Sequence, residues 1–347
     1  MTEFLAAYGL FLAKTLTWTA ALLAVAAGLV AILRSARSGQ GPDRLEVRNL
    51  NERYEQMAEI LNADLLSESE FKTLQKQQKA EEKARRKAGK RGEPAPRPRV
   101  FALSFDGDIA AHAVDSLREE ISALLQVARD SDEVLLRLES EGGMVHAYGL
   151  AASQLQRIRS RGLKLTVAID KVAASGGYMM ACVADRILAA PFAIVGSIGV
   201  VAQLPNFHRV LKKHEIDVEL HTAGEFKRTL TVFGENTEAG REKFREELEQ
   251  THLLFKSFVS GNRPQLEIDR VATGEHWYGS QALDLKLIDK LQTSDDYLLE
   301  RKADADLYEL SFKRRHPLSE RLAQGLVRLG MGLRGGMEKA WSSPARG

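Results

Sequence analysis

The chain has 347 residues, a formal net charge of +2 and a single cysteine, Cys182. That length allows one large domain or two modest ones with an ample core, and the lone cysteine excludes an intrachain disulfide and any Cys-x-x-Cys zinc or redox site. The charge is uneven: Lys72 to Arg99 holds eleven Lys/Arg against three acids, a local +8 that leaves the remainder near −6. A mildly acidic body with one basic tract argues against a general nucleic-acid binder. HExxH, P-loop and complete GxGxxG patterns are absent from the sequence, so the common metal and nucleotide readings have no support.

Thr15 to Leu33 runs nineteen residues without a charge. As a helix it would be roughly 28 Å long, close to the hydrocarbon thickness of a bilayer. Trp18 near one end and Arg34 and Arg37 at the other suit the two interfaces. Few charges precede the run and no small-x-small cleavage site follows it, which favours an uncleaved transmembrane helix over a removed signal peptide. Ile187 to Leu204 is also uncharged, but Pro191, Gly196 and Gly199 break it into the short runs of a buried core. Arg34, Arg37, Arg44 and Arg48 follow the first span, with Lys14 on its other side. On the positive-inside rule that distribution puts the body in the cytoplasm.

Leu45 to about Ala88 is polar, with Leu50, Tyr54, Met57, Ile60 and Leu61 at helical spacing, and predicts a helical neck. Lys83 to Arg99, carrying Gly89, Gly92, Pro94, Pro96 and Pro98, predicts a flexible basic linker, with attraction to anionic lipid headgroups as its functional alternative. From Val100 the texture changes. Val100–Phe105, Glu133–Leu138 and Leu163–Ile169 predict strands, and Asp115–Ala128 and Val145–Ser160 predict the helices between them. That alternation implies an α/β fold with a largely parallel sheet. Arg186–Ala189 and Asp217–Thr222 are further strand candidates, and Thr237–Val259 is a long amphipathic helix.

Three loops carry candidate chemistry. After Glu133–Leu138 comes Glu139-Ser140-Glu141-Gly142-Gly143-Met144. Its glycines permit close backbone approach and amides aimed at an oxyanion, or simply an ordinary strand-to-helix turn. After Leu163–Ile169 comes Asp170-Lys171-Val172-Ala173-Ala174-Ser175-Gly176-Gly177-Tyr178. A strand emptying into small residues and a serine puts a hydroxyl on a tight turn at a helix start; a capping serine would look the same locally. The third loop, Gly224-Glu225-Phe226-Lys227, presents a lysine that would act as a base if its charged form were disfavoured, as in Ser–Lys pairs. The eight histidines fall in no recognised triad motif; His146, just after the diglycine, is held in reserve.

Ala173-Ala174-Ser175-Gly176-Gly177-Tyr178, Gly196-Ser197-Ile198-Gly199-Val200 and the Gly224-x-x-Lys227 loop together resemble the signal peptide peptidase A family of serine proteases, peptidase family S49. Gly234-Glu235-Asn236-Thr237 and Ala272-Thr273-Gly274-Glu275-His276-Trp277-Tyr278-Gly279 resemble its SohB-type, membrane-anchored branch. The resemblance covers roughly residues 100–290. It implies a ClpP/crotonase-like fold in which Ser175 is the nucleophile and Lys227 the general base, with Gly142, Gly143 and Gly176 supplying oxyanion donors and no metal or organic cofactor. It further implies peptide or protein substrates, a homo-oligomer, contact with membrane lipid but not nucleic acid, and residence in a bacterial inner membrane with the catalytic domain periplasmic, against the arginine distribution. The domain plan is then an anchor over 1–34, neck and linker over 35–99, a peptidase domain over 100–312 and an amphipathic tail over 313–347. Two departures from the family pattern stand out: Glu141 occupies a position commonly held by proline, and Lys286 one commonly held by glycine. A mobile charged residue in place of a rigid one implies a less preorganised oxyanion loop. Two other readings are a crotonase-like acyl-CoA enzyme using Glu139 or Glu141, and a membrane scaffold with a vestigial dyad.

Overall fold

The computed structural model describes residues 8–20, 22–23, 43–90 and 97–314. The chain divides into two compact units, residues 1–44 with 313–347 and residues 45–312. In the first, residues 8–20 and 22–23 are helical. No helix among the described residues is long and apolar enough to cross a membrane. Most of the expected span, residues 24–33, lies outside the described residues, as does the tail from residue 315.

The chain enters the second unit through β1 (Arg44–Asn49), where the sequence pattern predicts a helix. It joins the sheet edge beside the last strand, so the start of the neck belongs to the body. Asn49 ends the strand and caps α1 (Leu50–Leu65), its side chain accepting from the Glu52 N–H. Leu50 is buried against the sheet. Helix α2 (Glu68–Lys90) follows, covering part of the tract expected to be a linker; residues 91–96 lie outside the described residues.

From there the strand–helix alternation runs as expected: β2 (Arg99–Gly107), α3 (Val114–Val127), β3 (Glu133–Ser140), α4 (Val145–Ser160) and β4 (Lys164–Ile169). Then come β5 (Val172–Ala174), α5 (Gly176–Ala181), β6 (Arg186–Ala189), β7 (Ile194–Gly196) and α6 (His208–Lys213). The long α7 (Glu238–Asn262) is followed by α8 (Ile268–Val271), β8 (His276–Tyr278) and α9 (Gly279–Asp284). The chain closes with β9 (Lys290–Leu291), α10 (Ser294–Arg301) and β10 (Asp306–Lys313).

The main sheet has the order β1-β10-β2-β3-β4-β6-β9, parallel from β10 to β9. Its inner strands are apolar on both faces because both are covered. Phe101, Leu103 and Phe105 of β2 point with Leu136 and Leu138 into the core beneath α3, α4 and α5. Val100, Ala102, Leu135 and Leu188 point the other way, toward Leu50, Tyr297 and Leu298. Strand β3 divides the sheet: it pairs with β4 over Glu133–Arg137, and at Ser140 it pairs with Ala173 of β5. A side branch β5-β7-β8 grows from that point, its last pairing antiparallel. The split delivers the end of β3 and the end of β5 to the same place.

Asp217–Thr222 is not a strand. Residues 217–222 are exposed and irregular, part of a long arm between β7 and α7. Val218 and Leu220 alternate as a strand would, but no neighbouring strand pairs with them, and an unpaired strand is not stable by itself. The uncharged run 187–204 is core through β6 and β7. It leaves the core beyond, where Val201 is 90% exposed.

Candidate active site

Ser175 stands between β5 and α5 with φ 52 and ψ −116. Those angles belong to the first central position of a type II′ turn, normally a glycine position. Holding serine there costs of order 1–3 kcal/mol, and such strain concentrates at functional sites. The surroundings over-determine the turn: the Ser175 N–H donates to the Gly196 carbonyl at 2.8 Å, and the Met179 N–H donates to the Ser175 carbonyl at 2.9 Å. Small neighbours are obligatory here. A Cβ on Gly176 would stand 2.4 Å from Cγ of Tyr148, and one on Gly177 would stand 2.6 Å from the Ser140 carbonyl oxygen.

The diglycine loop lies directly against this turn. Gly142 has φ 93, and a Cβ there would be 2.7 Å from the Gly176 nitrogen and 2.8 Å from Ser175 Cβ. Gly143 is equally constrained, its missing Cβ falling 2.1 Å from the Ile109 carbonyl oxygen. The loop's amides have different fates. Gly142 N–H donates to Ser140 Oγ at 3.0 Å and Met144 N–H to the Ile109 carbonyl at 2.8 Å. The amides of Gly143 and Gly176 have no acceptor among the described residues. Of the three glycines expected to donate to an oxyanion, Gly142 is therefore already engaged, while Gly143 and Gly176 keep their donors open.

The remaining sequence motifs brace the same turn. Gly196 has φ 103 and lies against the Trp277 ring, where a Cβ would meet Cε3 at 2.8 Å. Ser197 N–H donates to the Glu275 carbonyl at 2.7 Å, and Gly274 N–H to the Ile198 carbonyl at 3.2 Å. Asn236 accepts from the Thr231 N–H at 2.8 Å, tying the base of the arm, and Thr237 caps α7 by accepting from Gly240 N–H at 3.1 Å.

Ser175 opens onto a cavity of about 770 Å³. Met179, Val200, Leu248 and Phe255 line it with apolar surface, and Glu141, Arg245, Glu249 and His252 supply charge and polarity. The α7 residues were missed by sequence reasoning, because they lie some seventy positions from Ser175 with no motif of their own. Ser197 also lines the cavity, at φ 53. His252 carries a buried Nε2 with no partner among the described residues. His146 is exposed in the first turn of α4 and is not among the cavity residues.

Lys227 is not among them either. It lies on the exposed arm, in a turn closed by its N–H donating to the Gly224 carbonyl at 3.1 Å. The structure thus gathers Ser175, Gly142, Gly143 and Gly176 in one place and leaves Lys227 outside it. Lys286, between α9 and β9, has φ 63, the conformation expected where a family places glycine.

Residues 3–155 match the model of the peptidase family S49 N-terminal region, and residues 157–308 match the model of peptidase family S49 itself. The chain belongs to peptidase family S49. Among S49 relatives it is 50% identical over 334 residues to the probable protease SohB of Haemophilus influenzae, covering 93% of each chain. It is 49% identical over 306 residues to the probable protease SohB of Buchnera aphidicola subsp. Schlechtendalia chinensis, covering 86% of this chain and all of that one. A solved structure, a serine-to-alanine mutant of the 1510-N membrane-bound stomatin-specific protease, matches with TM-score 0.40 and 15% identity over 59% of this chain and 85% of that one. The family and the SohB relatives make the chain a peptidase, on a mixed α/β fold with a large sheet.

Proposed function

We propose that this S49 peptidase is a membrane-anchored serine endopeptidase on a ClpP/crotonase-like fold, with Ser175 as nucleophile and Lys227 as general base. The observation that carries the reading is the strained turn of Ser175 facing two glycine amides, Gly143 and Gly176, that lack acceptors among the described residues. Ser175 Oγ attacks the peptide carbonyl while Lys227 Nζ takes its proton. The oxyanion forms between the two amides, which are preorganised because the fold has already placed them. Collapse breaks the C–N bond and the leaving amine takes the proton from Lys227. Water then attacks the acyl-enzyme with Lys227 again as base, and Ser175 is regenerated. The apolar cavity wall suits membrane-derived, signal-peptide-like or misfolded polypeptides.

Lys227 needs the arm to fold over a site. The arm exposes Val201, Phe207, Val210, Leu220, Phe226 and Phe233, more apolar surface than a solvated loop carries. We read this surface as covered in a homo-oligomer, which brings the lysine to a serine. Residues 15–33 anchor the assembly in a bacterial inner membrane with the catalytic domain periplasmic; protease accessibility in spheroplasts tests that orientation. An acyl-CoA role for Glu139 is disfavoured, since both its oxygens accept from Lys171 Nζ at 2.9 Å.

The test is hydrolysis of labelled casein by the full chain in detergent, beside Ser175→Ala and Lys227→Ala. Loss of activity in both variants, with assembly size unchanged, supports the dyad. Activity that survives Lys227→Ala removes the lysine from the mechanism and directs attention to His252. A parent with no activity favours the scaffold reading.

A further inference from the structure

Tyr148 packs against Gly176 and is linked through Ser140 to the diglycine loop. Its side chain is fully buried in α4. The ring lies under Gly176, so close that a Cβ there would stand 2.4 and 2.7 Å from two ring carbons and 2.9 Å from the Tyr148 Cβ. The hydroxyl makes the link to the loop: Tyr148 Oη is 2.8 Å from the Asp108 carbonyl and 2.5 Å from Ser140 Oγ, which is 3.0 Å from the Gly142 nitrogen.

The proton directions in this chain follow from valence alone. A carbonyl only accepts, so the single phenolic proton goes to Asp108. Tyr148 Oη then accepts, so the Ser140 hydroxyl donates to it. Ser140 Oγ is left to accept from Gly142 N–H. The result is one continuous relay, Gly142 N–H to Ser140 to Tyr148 to the Asp108 carbonyl, with each donor used once. Burial raises the Tyr148 phenol above its ordinary range, so the relay keeps its proton at physiological pH. The arrangement is tight at every step: a Cβ on Gly107 would be 2.5 Å from Tyr148 Oη and 2.6 Å from Ser140 Oγ.

We propose that Tyr148 is the positioning residue of the oxyanion hole, its ring fixing Gly176 and its hydroxyl, through Ser140, fixing the Gly142-Gly143 loop. The relay holds the Gly142 amide away from the substrate and thereby orients the next peptide, so that Gly143 N–H is the loop's donor. The proposal rests on the peptidase mechanism above for its kinetic consequence, but its structural core does not.

The test uses the full chain with Tyr148→Phe, Ser140→Ala and the double variant, each retaining the packing of the ring. With labelled casein, kcat is expected to fall roughly 10- to 100-fold, the scale of a misplaced or lost oxyanion donor, with KM within about threefold. Because both residues act through one relay, the double variant loses no more than the worse single variant. Inhibition by a leucine-terminated peptide aldehyde, whose hemiacetal oxygen occupies the hole, weakens in parallel with kcat. Inhibition by the corresponding peptide alcohol does not change. Activity within about twofold of the parent, additive losses, or equal weakening of aldehyde and alcohol overturns the proposal. Hydrogen exchange at the Gly142 amide is read in every variant whether or not the parent cleaves casein. Faster exchange in Tyr148→Phe and Ser140→Ala is expected, and unchanged exchange refutes the relay. An inactive parent with faster exchange in the variants therefore counts against the peptidase mechanism and not against Tyr148.

Discussion

Replacing Ser175 by glycine is expected to give a protein that is inactive yet more stable than its alanine counterpart. Both variants lack Oγ, so the comparison isolates the backbone. At φ 52 and ψ −116, an L-residue carries about 1–3 kcal/mol of strain that glycine does not feel. Against this stands the greater freedom of glycine in the unfolded chain, worth about 0.5–1 kcal/mol. Losing the methyl of alanine also removes its contact with the Gly142 loop, but the tie from residue 175 N–H to the Gly196 carbonyl survives both changes. The net expectation is about 1 kcal/mol in favour of Ser175→Gly over Ser175→Ala. In a body of this size that corresponds to a Tm about 2–4 °C higher. Thermal unfolding followed by circular dichroism and calorimetry on both variants measures it. A glycine variant that melts with or below the alanine variant refutes the claim that the nucleophile's turn is strained.

Two further outcomes follow from the same backbone reasoning. Lys286→Gly is expected to raise stability by about 0.5–1 kcal/mol, since φ 63 disfavours a side chain and the Lys286 carbonyl can still accept from Arg263 at 3.0 Å; unfolding midpoints in urea decide it, with peptidase activity unchanged. Glu141→Pro is expected to raise kcat by restricting the residue that precedes the oxyanion loop, and a kcat that stays level or falls removes that role from Glu141.

Much of the sheet was legible in the sequence because each inner strand is apolar on both faces and each flanking helix keeps a 3.6-residue period. Val145–Ser160 and Arg186–Ala189 appear with the expected ends. Where local pattern was ambiguous, neighbours decided. Arg44–Asn49 carries helix-compatible polar residues but pairs as an edge strand, and Val218–Leu220 carries strand alternation but has nothing to pair with. Ser175 and the two glycine loops were legible too, since small residues after an apolar run announce a close backbone approach. The contribution of α7 to the cavity was not, because nothing within the helix itself distinguishes a residue that faces a cavity from one that faces a core.

The sequence by itself determined the α/β layering and the glycine-rich turns, because these depend on residue periodicity and on close backbone approaches that only glycine allows, and its ordered motifs carried the resemblance to the family. Tertiary structure alone decided which amides stay open. Gly142, Gly143 and Gly176 look alike as letters, yet Ser140 captures the first while Ile109 and Tyr148 pack against the other two. Ser140 is only two residues from Gly142, but its hydroxyl is held by Tyr148 Oη at 2.5 Å, and a donor stays open only where the residues packed around it offer no acceptor.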